Sequence, residues 1–256
     1  MNPGFFLSIA AGFLWSIGNV IDKAAVSKFL KRPALLALIF SIVSVGAGLV
    51  TLPSREHWLR GADWWWMAVS GFLYMIATLW YFMALKREEA SRVVPLFALT
   101  IVFLTVQSAL FLNEIFEPLT YGGIALVVIA TVLLMSRSNI LDAFRSKAFG
   151  LMVASTCAYA LSYVIMKRLL GTYTDIQVFS FHRIFVGTLG IILLLFFIKE
   201  LRTAYREAKR QYIPVSALSE AINVIGAFLF TAASAVWFVT LVETVVSIQY
   251  AFIFLW

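Results

Sequence analysis

Two polar residues interrupt an apolar run late in the chain, where an ionisable group is energetically costly. Glu220 lies two helical turns into the run 213–239, and Asn223 follows on the same helical face. An acid within a membrane-length segment usually faces a cavity, so binding of a substrate or a proton is the first hypothesis for this pair. The alternative is that the long run leaves Glu220 at the depth of the lipid headgroups.

An aromatic residue and a hydrogen-bonding residue share one face of the first apolar run. Trp15 and Asn19 have the i, i+4 spacing of helical neighbours, and Tyr159 and Tyr163 repeat that spacing in a later run. Two helices that present such faces to each other could stack on and orient a small amphipathic solute, although the same side chains could simply pack between helices. The same reasoning adds four candidates for substrate binding: Ser16, Tyr81, Gln107 and Trp237.

Residues for catalysis or metal binding are scarce. Cys157 is the single cysteine, and the two histidines, His57 and His182, do not form an H-E-x-x-H arrangement. A membrane enzyme acting on lipid would need a nucleophile and a base that these residues do not supply. The chain also has no G-x-x-x-x-G-K-[ST] motif to cradle a nucleotide phosphate. The sequence therefore predicts no enzyme, no catalytic or metal site, no cofactor and no direct use of ATP.

The elements that must position these residues are long apolar segments. Of the 256 residues 62% are hydrophobic and 13% are charged, whereas soluble domains carry about 25% charged residues. About 20 helical residues cross a hydrocarbon core of about 30 Å, so the runs predict an all-α polytopic membrane protein with eight full spans. A ninth begins near 241. The predicted full spans are 3–21, 33–52, 64–84, 92–112, 119–136, 149–166, 177–198 and 213–239.

The basic residues lie in short loops between these runs. The formal net charge is +7, but because it is not gathered on one soluble face, nucleic-acid binding is excluded. Alternate loops hold fifteen basic residues and the opposite loops five, which predicts a cytoplasmic side for the fifteen and an external N-terminus. The polar stretch 199–211 is interpreted as a solvated loop, with a surface helix on anionic headgroups as the alternative. The predicted location is the cell membrane, inner or plasma.

The two halves of the chain match weakly in sequence. The segment 82–97 lies over 238–253, and 12–23 lies over 158–167 with a short gap. The matched identities are Phe82 with Phe238, Leu85 with Leu241, Ser91 with Ser247, Ser16 with Ser162, and Lys23 with Lys167. Because five spans separate equivalent helices, the two copies would be inverted in the membrane.

A series of short motifs occurs in a fixed order along the first half. The motifs are Trp15-Ser16 before Lys23, Ala84-Leu85 leading through Ala90-Ser91 to Pro95, Asn113-Glu114, and Gly122-Gly123. This order resembles the drug/metabolite transporter superfamily, EamA type, over essentially the whole chain. The resemblance implies two inverted five-helix repeats around a central substrate cavity. The repeats would be 1–148, with five spans, and 149–256, with about four.

The chain departs from that ten-helix plan at its C-terminus. Trp256 falls opposite Thr100 of the first copy, so the counterpart of 101–136 is missing. A truncated sequence is expected, with a natural nine-helix variant as the alternative. Glu114 closes the fourth predicted span and is interpreted as marking the membrane edge, with a gate or a proton site as the alternative.

The resemblance implies secondary transport, with export of a small metabolite, amino acid or drug-like compound by alternating access. Its expected partners are a small-molecule substrate and the lipid bilayer, and a homodimer is left open. One alternative is an organic-phosphate or nucleotide-sugar exchanger, whose anion would be bound by Lys23, Lys167, His182 and Arg183. Another is a membrane scaffold subunit that transports nothing. Coupling through Glu220 and facilitated diffusion both remain open.

Overall fold

Prolines, glycines and charged turns divide the apolar runs into helices. The computed structural model describes residues 2–30, 32–54, 58–135, 146–208, 210–250 and 252, and these residues form helices and turns without a strand. The α-helices in chain order are α1 (Pro3–Ala24), α2 (Pro33–Val50), α3 (Asp63–Arg87), α4 (Ala90–Val93), α5 (Ala98–Leu112), α6 (Pro118–Met135), α7 (Lys147–Leu170), α8 (Asp175–Leu195), α9 (Ile198–Glu207), α10 (Ile213–Val236) and α11 (Val239–Val246).

Seven helical segments of the described chain are long and apolar enough to cross a membrane. They are α1, α2, α3, Val94–Leu112, α7, α8 and α10, and α6 adds a shorter apolar stretch, Pro118–Ala130. Large apolar side chains face outward: Val50 is 88% exposed and Leu119 is 86% exposed, as lipid-facing residues would be. The chain is therefore an integral, multi-pass, all-α membrane protein, which confirms the predicted fold class.

The predicted fourth and ninth spans are not continuous α-helices. A 3₁₀ segment, Val94–Phe97, separates α4 from α5, because Pro95 has no N–H for an α-helical hydrogen bond. In the ninth run α11 ends at Val246, and a turn follows. Residue 251 and residues 253–256, including Trp256, lie outside the described residues. The described residues therefore do not test the expected truncation at Trp256.

The interpretation of 199–211 as a solvated loop is wrong over most of its length. Ile198–Glu207 forms α9, in which Ala204 is buried and Leu201 packs against the hydrophobic core, on the side of α2 and α8. Apolar residues three positions apart give this short helix one face to bury. At its end the Arg32 guanidinium holds the Glu207 carboxylate through Nε and a terminal nitrogen, at 3.1 and 3.2 Å. Lys209 lies outside the described residues.

The long helices pack in pairs that join the two halves of the chain. α1 packs along α10, α3 along α7, and α2 along α8. Glycines permit the close approach of α2 and α8. A Cβ at Gly48 would come within 2.6 Å of the Ser180 carbonyl oxygen, and a Cβ at Gly187 would overlap the Ser41 carbonyl oxygen. The core thus lies between helices from both halves, while the inverted repeat remains a prediction.

Two lysines make similar contacts with the ends of two helices. The Lys23 ammonium donates to the carbonyl oxygens of Leu85 (2.7 Å) and Glu88 (2.5 Å), where α3 ends. The Lys167 ammonium donates to those of Ser234 (2.5 Å) and Trp237 (2.8 Å), where α10 ends. A cation at a helix C-terminus satisfies carbonyls that have no partner within the helix.

These contacts bear on the alignment of the two halves. Under the predicted repeat they would pair Leu85 with Ser234 and Glu88 with Trp237. This pairing differs by two helical turns from the match of Leu85 with Leu241 in the sequence. Apolar sequences give many near-equal matches, so identity alone did not set the register.

Candidate functional site

A cavity of about 80 Å³ lies between helices of both halves. Its wall is formed chiefly by α1, α3, α7 and α10, with contributions from α2, α5, α11 and the turns beside them. The lining residues are Trp15, Asn19, Asp22, Phe40, Tyr74, Thr78, Tyr81, Phe82, Phe97, Thr100, Tyr159, Tyr163, Glu220, Asn223, Glu243 and Gln249. Seven of the ten residues predicted to bind substrate are among them: Trp15, Asn19, Tyr81, Tyr159, Tyr163, Glu220 and Asn223.

Two carboxyl groups meet in this cavity around one amide. Asn223 Nδ2 donates to Asp22 Oδ2 and to Glu220 Oε2, both at 3.3 Å. Ser219 Oγ donates to Asp22 Oδ1 at 3.1 Å. Glu220 is only 1% exposed, and its Oε1 atom is buried without a hydrogen-bond partner. Glu220 therefore faces α1 and the cavity, and its depth in the membrane stays a prediction.

A chain of hydrogen bonds crosses the cavity wall. The Tyr81 hydroxyl donates to Asn19 Oδ1 at 2.8 Å, and Asn19 Nδ2 donates to Gln249 Oε1 at 3.0 Å. Three elements are joined in this way: α3, α1 and the segment after α11. Asn19 therefore uses both ends of its amide, and a substrate that reached it would exchange with one of these bonds.

Aromatic rings form most of the remaining wall. Tyr74 and Tyr159 lie edge to face with ring centroids 4.8 Å apart, and Tyr159 stacks at 6.2 Å on Tyr163. The Tyr159 hydroxyl and Thr78 Oγ1 are 2.8 Å apart. The Trp15 indole N–H donates to the Asn223 carbonyl oxygen at 2.9 Å, so this ring is fixed against α10. The wall thus presents rigid apolar faces with polar groups between them.

The remaining three predicted residues lie elsewhere. Ser16 is buried within α1, where its hydroxyl donates to the Phe13 carbonyl oxygen at 2.7 Å. Gln107 lies on α5 against α7, with Nε2 3.5 Å from the Cys157 carbonyl oxygen. Trp237 follows α10 and packs against Phe5. None of the three lines the cavity, because each occupies a helical face or end that turns toward another partner.

His182 and Arg183, which belong to the anion-binding alternative, do not lie at the start of their helix. The Thr174 and Gln177 capping box begins α8 earlier, so both residues lie two turns inside the helix and are buried. The Arg183 guanidinium lies 5.0 Å from the Tyr74 ring centroid, and His182 Nε2 lies 3.3 Å from Ser162 Oγ. Neither residue lines the cavity.

The anion-binding alternative required these two residues to meet Lys23 and Lys167. The two lysines instead donate to carbonyl groups at the ends of different helices. The four basic residues therefore do not converge, and the geometry does not favour an organic-phosphate or nucleotide-sugar site.

Glu114 lies in a second, wider pocket of about 660 Å³ beside Lys167, Trp237 and Phe238. It follows Asn113, whose left-handed conformation (φ 54°) ends α5. Burial raises the pKa of the Glu114 carboxyl, and the Lys167 ammonium and the N–H groups of Val239 and Thr240 oppose that shift. This acid is thus close to the start of α11 and outside the cavity.

Asp22 and Glu243 are cavity acids that the sequence-based candidates omitted. Asp22 directly follows the first predicted span, 3–21, but it lies one turn from Asn19 on the same face, which could have identified it. Glu243 is an acid inside an apolar run, the same signal that identified Glu220. Its Oε2 atom is buried and has no hydrogen-bond partner. Tyr74, Thr78 and Gln249 carried no comparable signal.

Comparisons with known proteins bear on the family and the fold of the chain. The family described as the EamA-like transporter family matches residues 2–136. A protein of Sinorhizobium sp, described as an uncharacterized transporter in the cobO 3′ region, is 30% identical over 136 residues, which are 51% of this chain and 94% of that protein. A solved structure, described only as the crystal structure of a protein, covers 99% of this chain and 88% of its own. With a TM-score of 0.72 and 17% identity, it shares the fold alone.

Proposed function

This chain belongs to the EamA-like transporter family of the drug/metabolite transporter superfamily, and from that premise we propose that it is a secondary transporter. In this proposal it exports a small metabolite, amino acid or drug-like compound by alternating access, and the cavity is its substrate site. Membership in the family indicates a transporter and not an enzyme.

The observation that carries the proposal is a polar cavity built by both halves of the chain. Hydrogen bonds across it join Asn19 of α1 to Gln249 after α11, and Asp22 of α1 to Asn223 of α10. Side chains that bond to each other across two halves can release those bonds to a substrate. A site at the junction of two rocking halves is the arrangement that alternating access requires.

Interrupted helices beside the cavity support movement around it. The 3₁₀ segment Val94–Phe97 brings Phe97 to the wall, and the turn after α11 brings Gln249 to it. Discontinuous helices are frequent at transporter binding sites, since their ends can change direction at low cost. We assign the substrate-dependent movement to these two segments.

The lysines provide the second part of the movement. Lys23 holds the junction of α3 with α4, and Lys167 holds the junction of α10 with α11. In the proposed cycle each junction loosens in turn, so that the cavity opens first to one side and then to the other. The expected topology places the Lys23 junction on the cytoplasmic side.

Flux through purified protein in liposomes tests this function. A panel of radiolabelled amines, amino acids and small metabolites would be followed by counterflow, with protein-free liposomes as the blank. We expect at least one solute to exchange, and Asn19→Ala to abolish that exchange. Gln107→Ala, which changes a polar residue outside the cavity, is the matched control and should retain it.

Two outcomes would contradict the proposal. Exchange of no solute by a protein that remains folded in the liposomes would favour the scaffold alternative. Equal loss of exchange in Asn19→Ala and Gln107→Ala would show that the cavity has no special role in transport.

A further inference from the structure

Among the described residues, three carboxyl groups line the cavity, and no lysine, arginine or histidine lines it with them. Asp22 and Glu220 share the Asn223 amide, while Glu243 approaches from α11. Glu220 Oε1 and Glu243 Oε2 are both buried without a hydrogen-bond partner, on side chains that are 1% and 4% exposed. A buried polar atom without a partner is costly, so these oxygens indicate a missing ligand that brings donors or positive charge.

Arg183 lies behind the wall of the cavity and not in it. Its guanidinium lies over the rings of Tyr74 and Phe179, at 5.0 and 5.7 Å from their centroids. When the three carboxyl groups are ionised, one guanidinium cannot balance them, and a cation bound in the cavity would complete the balance.

Half of the lining residues are aromatic, which narrows the kind of cation. The rings belong to Trp15, Phe40, Tyr74, Tyr81, Phe82, Phe97, Tyr159 and Tyr163. Aromatic faces attract organic ammonium groups through their quadrupoles, and they bury the alkyl groups that such cations carry. A small inorganic cation would gain little from these apolar faces. The described residues also contain no group of three or more histidine, cysteine or acidic side chains able to hold a metal ion.

Other substrate classes fit the wall less well. A phosphate or a lone carboxylate would be repelled by Asp22, Glu220 and Glu243. A neutral apolar solute would leave both unpaired oxygens without a partner. We infer that the cavity binds a small organic ammonium cation, its nitrogen held by the Asp22–Glu220 pair, with Glu243 as a further acid in the wall, and its alkyl groups packed on Trp15 and the tyrosines. This inference deepens the proposed transport function and rests on it.

The size of the cavity limits the part of the ligand that it holds. The cavity volume of about 80 Å³ can hold a few water molecules or a group of a few heavy atoms. A methylated ammonium group is of this size. The carbon skeleton of a larger amine would extend between the helices once the cavity opens.

Direct binding to the full chain in lipid nanodiscs tests the inference without requiring transport. Calorimetric titrations would compare choline with 3,3-dimethylbutan-1-ol, which replaces the ammonium nitrogen by carbon and has the same shape. We expect choline to bind at least roughly tenfold more tightly, because only the cation satisfies the carboxyl groups. Equal affinity for the two compounds would overturn the inference.

Isosteric variants identify the groups responsible. Glu220→Gln and Glu243→Gln should each weaken choline binding roughly tenfold or more and leave the alcohol unchanged. Glu114→Gln, a buried acid outside the cavity, is the matched control and should keep wild-type affinity. Thermal unfolding of each variant verifies that it is folded. Should Glu220→Gln not fold, the Glu243→Gln variant carries the test by itself. Full choline affinity in a folded Glu243→Gln protein would contradict the proposed site.

The outcome for the cation is separable from the outcome for transport. Binding of choline without flux of any solute in liposomes would overturn the transport function and leave the cation site standing. Flux of a neutral solute by a protein that does not bind choline would overturn the cation site and leave the transport function standing.

Discussion

Removal of the Asn19 amide gives a quantitative test of the polar network across the cavity. Asn19 accepts from the Tyr81 hydroxyl at 2.8 Å and donates to Gln249 at 3.0 Å. Hydrogen bonds between helices in a membrane contribute about 0.6 kcal/mol on average and up to about 1.7 kcal/mol. Loss of both bonds in Asn19→Ala should therefore lower the free energy of unfolding by about 1–3 kcal/mol.

A double-mutant cycle isolates one of these bonds. Tyr81→Phe removes the hydroxyl alone, and when Asn19 is already alanine the same change has no bond left to break. The two substitutions should thus be coupled by about 0.6–1.7 kcal/mol. Unfolding would be followed by tryptophan fluorescence as the protein in mixed micelles is titrated with a denaturing detergent.

A distant pair provides the control for this cycle. Asn19→Ala combined with Thr203→Ala, an exposed position on α9, should be additive. Additivity of Asn19→Ala with Tyr81→Phe as well would refute the hydrogen bond between these side chains, and with it the geometry of the network.

Three other changes should have distinct effects. Lys23→Met and Lys167→Met should each slow exchange about tenfold, a rise of about 1.4 kcal/mol in the activation free energy. Choline binding should persist in both variants. Unchanged flux would exclude the lysines from the transport cycle. Gly187→Ala should lower the free energy of unfolding in detergent by about 1–3 kcal/mol, because the added Cβ forces α2 away from α8. Gly150→Ala is the control and should cost far less, since a Cβ at Gly150 would meet open space. Burial raises the pKa of Glu114 above 4.5, so the folded state binds its proton more tightly than the unfolded state does and loses stability as pH rises above that value. Glu114→Gln should therefore be more stable than the wild type at pH 8 but not at pH 4. The same difference in the free energy of unfolding between variant and wild type at both pH values would contradict this.

The sequence predicts the helices better than it predicts their faces. Long apolar runs fix the positions of α1, α3, α7 and α10, because lipid permits few alternatives to a helix. The break at Pro95 was missed, since a proline near the start of a run is also compatible with a first helical turn.

The candidate site was found where a helix carries two polar groups on one face. Trp15 with Asn19, and Glu220 with Asn223, are such pairs, and all four line the cavity. Gln107 follows Phe103 with the same i, i+4 spacing, yet it contacts α7. The spacing therefore identifies a shared helical face but not the neighbour that this face meets.

Two cavity acids were missed for different physical reasons. Asp22 lies at the edge of its apolar run, and the helix continues past that edge to Ala24, which brings the acid inward. Glu243 depends on the course of α11, whose start is set by the end of α10 and by contacts that only the folded chain contains. The partners of a buried acid are thus a property of the packed helices.

The most direct measurement of the central claim is access to the cavity from each side of the membrane. Cys157 is the only cysteine, so Cys157→Ser provides a cysteine-free background in which Thr100→Cys, at a lining residue with no assigned binding role, reports on the cavity and Gln107→Cys reports on the packed face of α5. In vesicles, a membrane-impermeant thiol reagent should label Thr100→Cys when added to either side, and choline should protect it, while Gln107→Cys should stay unlabelled. Labelling of Thr100→Cys from one side alone, or from neither, would contradict alternating access through this cavity.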